Sequence, residues 1–273
     1  MLRLGVVSYL NSRPLIDGLE GRPDVSLYFD VPSALAARLE NDAVQVALIP
    51  IFDVIAAAGR LHVLSDAGIA CDGETMTVRV FSQVPPDRIR TLWVDGDSHT
   101  SINLARVLWR ELYDTPLELR AFDSQRQRVD DCTSVLLIGD KVITGRRDGF
   151  AYEVDLGAAW RQHTGLPFVF AVWAAPGPAA DDNALESAAA LLCAARDRGV
   201  ARAAEIAQSD GPRRWWPVDL ATRYLTRCLK YRLDDRFRAG ADHFAALCSR
   251  HGIVAPGAHI PWPTAGSIAR TGS

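Results

Sequence analysis

Three short polar clusters each follow an apolar run: Ser8-Tyr9-Leu10-Asn11-Ser12, Asp95-Gly96-Asp97-Ser98-His99-Thr100-Ser101 and Gly139-Asp140. The first brings a hydroxyl, a phenol and a carboxamide to the start of a helix. Pro14 suits the first helical position, with Ser12 or Arg13 at the cap. Unpaired N–H groups at a helix start carry partial positive charge, so such a loop suits an anionic ligand. The second cluster surrounds another helix start, with Gly96 permitting a tight turn. Asp97 or Ser98 can equally serve there only as a cap. The Gly139-Asp140 pair closes a strand, and alone it reads most simply as a structural turn. Taken together, the three loops describe a cleft lined by Ser8, Asn11, Ser98, Thr100, Ser101 and Asp140.

Other chemistries lack their residues. The six histidines (His62, His99, His163, His243, His251 and His259) show no H-x-x-x-H or H-E-x-x-H spacing. Of these only His99 adjoins the polar clusters, where it can face solvent or the site. Cys71, Cys132, Cys193, Cys228 and Cys248 are odd in number and form no C-x-x-C pair. Neither a metal site nor a disulfide framework is expected, and Cys193, Cys228 and Cys248 read as buried thiols on helix faces. The chain has no G-x-G-x-x-G, no phosphate-binding Walker loop and no G-x-S-x-G elbow. No cofactor is implied.

A net charge of −3 with scattered arginines argues against nucleic acid and favours a small-molecule partner. No window approaches the ~20 apolar residues of a membrane span. Met1-Leu2-Arg3 runs straight into a strand with no signal-like segment, so a cytoplasmic location is expected.

The elements that must position these loops alternate in type. Strands are expected at Leu4–Val7, Val44–Ile49, Thr77–Phe81, Leu92–Val94, Val135–Ile138 and Phe168–Ala174. Helices are expected at Ser33–Glu40, Ile51–Ala58 and Thr100–Leu112, the last capped by Ser98. Beyond the last strand the periodicity is helical over Ala184–Gln208, Pro217–Tyr231 and Asp234–Arg250. Trp215 and Trp216 read as packing residues at a helix start. The pattern predicts an α/β protein, mainly parallel, with two lobes and a ligand cleft between them. Residues 1–82 plus 173–255 would form lobe one, 83–172 lobe two, and 256–273 a loosely ordered tail.

In this order, VSYLNSRPL (7–15), VALIPI (46–51), DSHTSINLARVL (97–108), LLIGDKVI (136–143), DLGAAWRQHTGLPFVFAVWA (155–174) and YLTRCLKYRL (224–233) resemble the chorismate dehydratases of the futalosine route to menaquinone. The resemblance runs from the first strand to the penultimate helix, and its D-L-G-x-x-W followed by T-G-L-P-F-V-F-A-x-W is its most specific part. It implies a type II periplasmic-binding-protein-like fold reused as an enzyme. The dihydroxynaphthoate synthase of the same pathway shares that fold but opens with an S-P-C-P-N-D type of loop, where this chain has Ser8-Tyr9-Leu10-Asn11.

The resemblance implies a hydro-lyase that eliminates water from chorismate to give 3-[(1-carboxyvinyl)oxy]benzoate. Loss of a ring proton and the neighbouring hydroxyl makes the ring aromatic, so a site need only hold two carboxylates and orient the breaking bonds. By position, Asn11 would act at the reacting ring. Ser98, Thr100 and Ser101 would hold a carboxylate, with Ser8, Tyr9, Gly139 and Asp140 completing the substrate site. No base stands in a matching motif, and the substrate's own enolpyruvyl carboxylate is a candidate. Two departures alter the expected pocket. His99 replaces the family's arginine in S-R-T-S, and Gly73-Glu74-Thr75-Met76-Thr77-Val78 replaces G-x-V-x-S-V, bringing Thr75 and Thr77 to the site. A non-catalytic binding protein, or a relative acting on a related carboxylated aromatic, is the alternative these departures leave open.

Overall fold

In the computed structural model, which describes residues 1–123, 128–145, 149–177 and 182–263, β1 (Leu2–Val7) leads through a 3₁₀ helix (Leu10–Ile16) into β2 (Val25–Asp30) and α1 (Pro32–Glu40). β3 (Val46–Pro50), α2 (Ile51–Ala56) and the long β4 (Leu61–Cys71) follow. The chain then crosses to β5 (Val78–Ser82), β6 (Thr91–Val94), α3 (His99–Tyr113), β7 (Glu118–Ala121), β8 (Ser134–Ile138), α4 (Lys141–Thr144), β9 (Tyr152–Asp155) and α5 (Leu156–Thr164). It returns as β10 (Phe168–Pro176), then α6 (Asp182–Ala201), α7 (Ala203–Arg213), α8 (Val218–Arg223), a π turn (Tyr224–Cys228), β11 (Leu229–Arg232) and α9 (Asp235–Arg250).

Two sheets result, ordered β11-β4-β10-β3-β1-β2 and β7-β6-β8-β5-β9. Both are mixed, which corrects the mainly parallel expectation. β1 is parallel to β2 and β3, and β6 to β7 and β8, but the strands that carry the chain between lobes lie antiparallel to their neighbours. β10 pairs antiparallel with β3 and β4, and β5 with β8 and β9.

Those strands also move the lobe boundaries. Residues 78–82, expected in lobe one, belong to the second sheet, and residues 168–172, expected in lobe two, belong to the first. The crossings lie in 72–77 and 165–167, each just before the apolar strand it leads into. Alternating burial cannot tell which sheet a strand joins; the polar turn before it can.

β2, β4, β7 and β9 lie outside the expected strands, and Leu229–Arg232 departs from an expected helix. β4 was not anticipated because Ser65-Asp66-Ala67-Gly68 interrupts its apolar pattern. It remains a strand through register shifts against β10 and β11. There a Cβ on Gly68 would sit 2.7 Å from the Ala171 carbonyl oxygen. Leu229–Arg232, expected to be helical, forms β11 against β4. The helix ends early because Leu229 already has an extended backbone (φ −83°, ψ 149°).

The tail is held as far as it is described. Pro261 accepts the Val63 N–H at 2.9 Å, the Trp262 indole donates to Asp242 at 3.0 Å, and Ile260 is buried. Residues 264–273 lie outside the described residues.

The D-L-G-x-x-W segment fastens the crossing that leads to the site. Asp155 caps α5 through the Ala158 N–H (3.0 Å) and also accepts the N–H groups of Thr75 (3.0 Å) and Met76 (2.8 Å). A Cβ on Gly157 would meet the Cys71 sulfur and the Gly73 carbonyl oxygen at 2.6 Å, so only glycine lets α5 approach the crossing this closely. Trp160, fully buried, donates to the Pro167 carbonyl (3.1 Å) and packs edge-on against Phe168 and Phe244. Side chains of this kind contribute roughly 1.5–3 kcal/mol each on burial. Their cluster joins α5 to β10 and α9, locking one lobe to the other beside the hinge.

Candidate functional site

A cavity lies between the sheets, at the ends of β1, β3, β8 and β10. Val7, Ile69, Ile138, Phe170 and Leu229 form apolar walls, while Asn11, Thr75, Thr77, Tyr224, Ser98 and Ser101 supply polar atoms. No side chain lining it is a carboxylate, an amine, a guanidinium or an imidazole.

The first loop is shaped by Ser12. Its hydroxyl, fully buried, donates to the carbonyls of Val7 (2.6 Å) and Tyr9 (3.0 Å), folding the chain back at the end of β1. The helix therefore begins at Leu10, with Pro14 inside it, rather than at Pro14 as expected. Asn11 then faces the cavity with its Oδ1 buried and without a hydrogen-bond partner. Such an orphan acceptor costs about 1–3 kcal/mol and marks a place where a ligand donor fits.

Beside Asn11 stands Tyr224, absent from the expected site residues. Its hydroxyl lies 2.6 Å from that of Thr77, and its ring stacks on Trp216 (centroids 5.0 Å apart, planes at 19°). Burial holds the phenol well above its ordinary pKa, partly offset by hydrogen bonds from Thr77 and Asn11, so it stays an O–H. It sits at the start of the π turn, a local irregularity frequent at functional sites. The periodicity over 217–231 predicts one helix, in which Tyr224 stands out only through its place in the YLTRCLKYRL stretch. Trp216 does pack, but Trp215 is 85% exposed with φ +63°, contrary to the packing role expected of both.

Ser98 caps α3 as expected, accepting the Ser101 N–H at 3.3 Å, and both side chains line the cavity. α3 thus presents its first turn, the positive end of its dipole, to the cavity through Ser98 and Ser101. Tyr9 and Gly139 meet at the rim. A Cβ on Gly139, whose φ is +65°, would stand 2.9 Å from the Tyr9 ring, so glycine lets the two lobes touch here. The Tyr9 hydroxyl donates to Asp97 (2.7 Å), and Lys141 bonds both Asp97 and Asp95. Burial and the neighbouring Asp97 carboxylate push the Tyr9 phenol far up; Lys141 is raised because the two carboxylates outweigh its burial.

Four expected residues do not line the cavity. Thr100 is buried and its Oγ1 accepts the Phe52 N–H (3.1 Å) from the other lobe. His99 turns to Asp53 of α2 (Nδ1 to Oδ1, 2.7 Å), which raises its pKa through that hydrogen bond. Ser8 offers its carbonyl to Arg214 (2.8 Å). Asp140 accepts the Leu10 N–H (3.3 Å) and the Trp216 indole N–H (3.0 Å). Spacing brought all four near the cleft, but Thr100, His99 and Asp140 are spent on contact between lobes, and Ser8 bonds within lobe one. Cys71, Cys132, Cys228 and Cys248 are buried, Cys193 is partly so, and all five are free. Among the described residues no group of His, Cys, Asp and Glu could hold a metal, and no helix is long and apolar enough to cross a membrane.

A family model described as menaquinone biosynthesis matches residues 2–250. The chain belongs to the menaquinone biosynthesis family. Among family relatives, a chorismate dehydratase of Thermus thermophilus is 28% identical over 260 residues, 89% of this chain and 93% of that protein. Solved structures give the fold. A protein of Archaeoglobus fulgidus superposes with a TM-score of 0.66 at 14% identity, covering 93% of this chain and 98% of that one. The periplasmic aliphatic sulphonate binding protein of Escherichia coli gives 0.58 at 14% identity and covers 95% of both chains. The menaquinone-family chain thus has the two-lobed periplasmic-binding-protein-like fold.

Proposed function

We propose that this chain is a chorismate dehydratase, a hydro-lyase that acts on the futalosine route in the cytoplasm. The observation that carries the reading is the buried, unpartnered Asn11 Oδ1 in a cavity whose other polar side chains are hydroxyls. Family membership and the Thermus relative support the same chemistry.

In this reading the N-terminus of α3, with Ser98 and Ser101, holds one substrate carboxylate. The apolar walls accept the ring. Asn11 and the hydroxyls of Thr77 and Tyr224 face the ring hydroxyl that departs. The C–H bond at the ether-bearing carbon breaks, its electron pair forms the new ring double bond, and the adjacent C–O bond breaks to release hydroxide. The abstracted proton and that hydroxide balance as water. With no basic side chain in the lining, the substrate's enolpyruvyl carboxylate takes the proton. Aromatisation supplies the driving force, and the protein supplies alignment.

Incubation with chorismate, followed by mass and ultraviolet absorbance, tests this. Loss of one water with a new aromatic spectrum is expected. A raised melting temperature with chorismate left intact would instead identify a binding protein.

A further inference from the structure

Asp140 stands at the N-cap of α4, where an aspartate ordinarily accepts an N–H of its own helix, yet its side chain makes no such bond. Its Oδ1 reaches across the cleft to two donors of lobe one, the Leu10 N–H and the Trp216 indole N–H. Arg214, also of lobe one, places a guanidinium nitrogen 3.9 Å from Oδ2.

Both donors lead directly to the cavity. Leu10 is the first residue of the 3₁₀ helix whose second residue is Asn11. Trp216 stacks on Tyr224, and Tyr224 in turn meets Thr77. One carboxylate oxygen of lobe two is thereby tied to the backbone beside Asn11 and to the ring that supports Tyr224. Gly139 adds a steric partner to this contact, since its missing side chain lets the Tyr9 ring lie against the same turn.

We infer that Asp140 is a positioning residue that couples closure of the lobes to assembly of Asn11, Thr77 and Tyr224 around the substrate. Parting the lobes would break the Leu10, Trp216 and Tyr224–Thr77 contacts together. The polar groups would then be solvated and unaligned. Displacements of about 1 Å at a reacting centre cost on the order of a hundredfold in rate, so the coupling keeps elimination confined to the closed form. This inference rests on the dehydratase reading for its kinetic part only.

Asp140→Ala, Asp140→Asn and Trp216→Phe test it, with folding checked by thermal melts. Asp140→Asn keeps an acceptor oxygen and should stay within about threefold of the parent kcat. Asp140→Ala loses two hydrogen bonds and should lower kcat roughly tenfold to a hundredfold, with a smaller change in KM. Trp216→Phe keeps an aromatic ring but removes the N–H, and adding it to Asp140→Ala should cost little more. Ligand-free small-angle scattering should show a larger radius of gyration for Asp140→Ala than for the parent or Asp140→Asn. An unchanged radius, or fully additive losses, would overturn the inference. If the parent itself leaves chorismate intact, the dehydratase reading fails, and the scattering comparison still decides the latch.

Discussion

The hydroxyls of Tyr224 and Thr77 lie 2.6 Å apart, one from the π turn beside the first sheet and one from the crossing into the second. The pair is buried, and one hydroxyl donates to the other. Tyr224→Phe keeps the ring stacked on Trp216 but removes the donor. The expected outcome is a folded protein whose kcat falls about tenfold or more, with a melting temperature within a few degrees of the parent. Steady-state kinetics and a melt on one preparation check both halves.

Thr77 replaces the serine of the family pattern, and the structure shows what its hydroxyl must reach. Thr77→Ser keeps that oxygen and frees space for a methyl group, so activity should be retained or rise. Thr77→Val keeps the shape and leaves the Tyr224 hydroxyl without its partner, and turnover should fall by about threefold to tenfold. Equal activity in both variants would show that the hydroxyl pair is dispensable.

Asp155 never touches the cavity, yet three backbone N–H groups depend on it. Asp155→Ala removes a helix cap and two fastenings of the crossing that carries Thr75 and Thr77. A loss of about 2–4 kcal/mol in unfolding free energy is expected from denaturant titration. Asp155→Asn, which retains one acceptor oxygen for Thr75 and Ala158, should lose less.

The His99–Asp53 contact gives a pH signature. Its hydrogen bond to Asp53 raises the His99 pKa in the folded chain above the ordinary value near 6.5. The protonated imidazole therefore contributes stability that is fully present below about pH 6.5 and is lost as pH rises through the raised folded value. At the acid end, burial raises the Asp53 pKa, so the ion pair also weakens when that carboxyl protonates. The melting-temperature gap between the parent and His99→Asn should be widest near pH 6 and shrink toward pH 9. A gap independent of pH would mean that the imidazole carries no charge in the folded chain.

What the sequence revealed depended on whether a residue's role is local. Ser98 caps α3 through a bond three residues away, and the motif before the helix shows it. Asn11 lies in the short helix just after β1, and the polar run there marks it. Tyr224 was hidden because a π turn and a short strand replace the expected helix, which changes the face it presents. Asp140 was visible as a site residue, but the direction of its side chain follows from how two distant lobes meet. His99 likewise joined the cleft by spacing and left it through a partner, Asp53, that no local pattern connects to it. β4 shows the same limit in the fold: its polar centre reads as a turn, while pairing on both sides keeps it extended.

The central claim is tested most directly by measuring chorismate loss and product formation for the parent chain and for Asn11→Ala side by side. The account predicts that the parent converts chorismate to an aromatic product lighter by one water, and that Asn11→Ala stays folded while its turnover falls by about a hundredfold or more. No conversion by the parent, or equal rates for the two proteins, would contradict it.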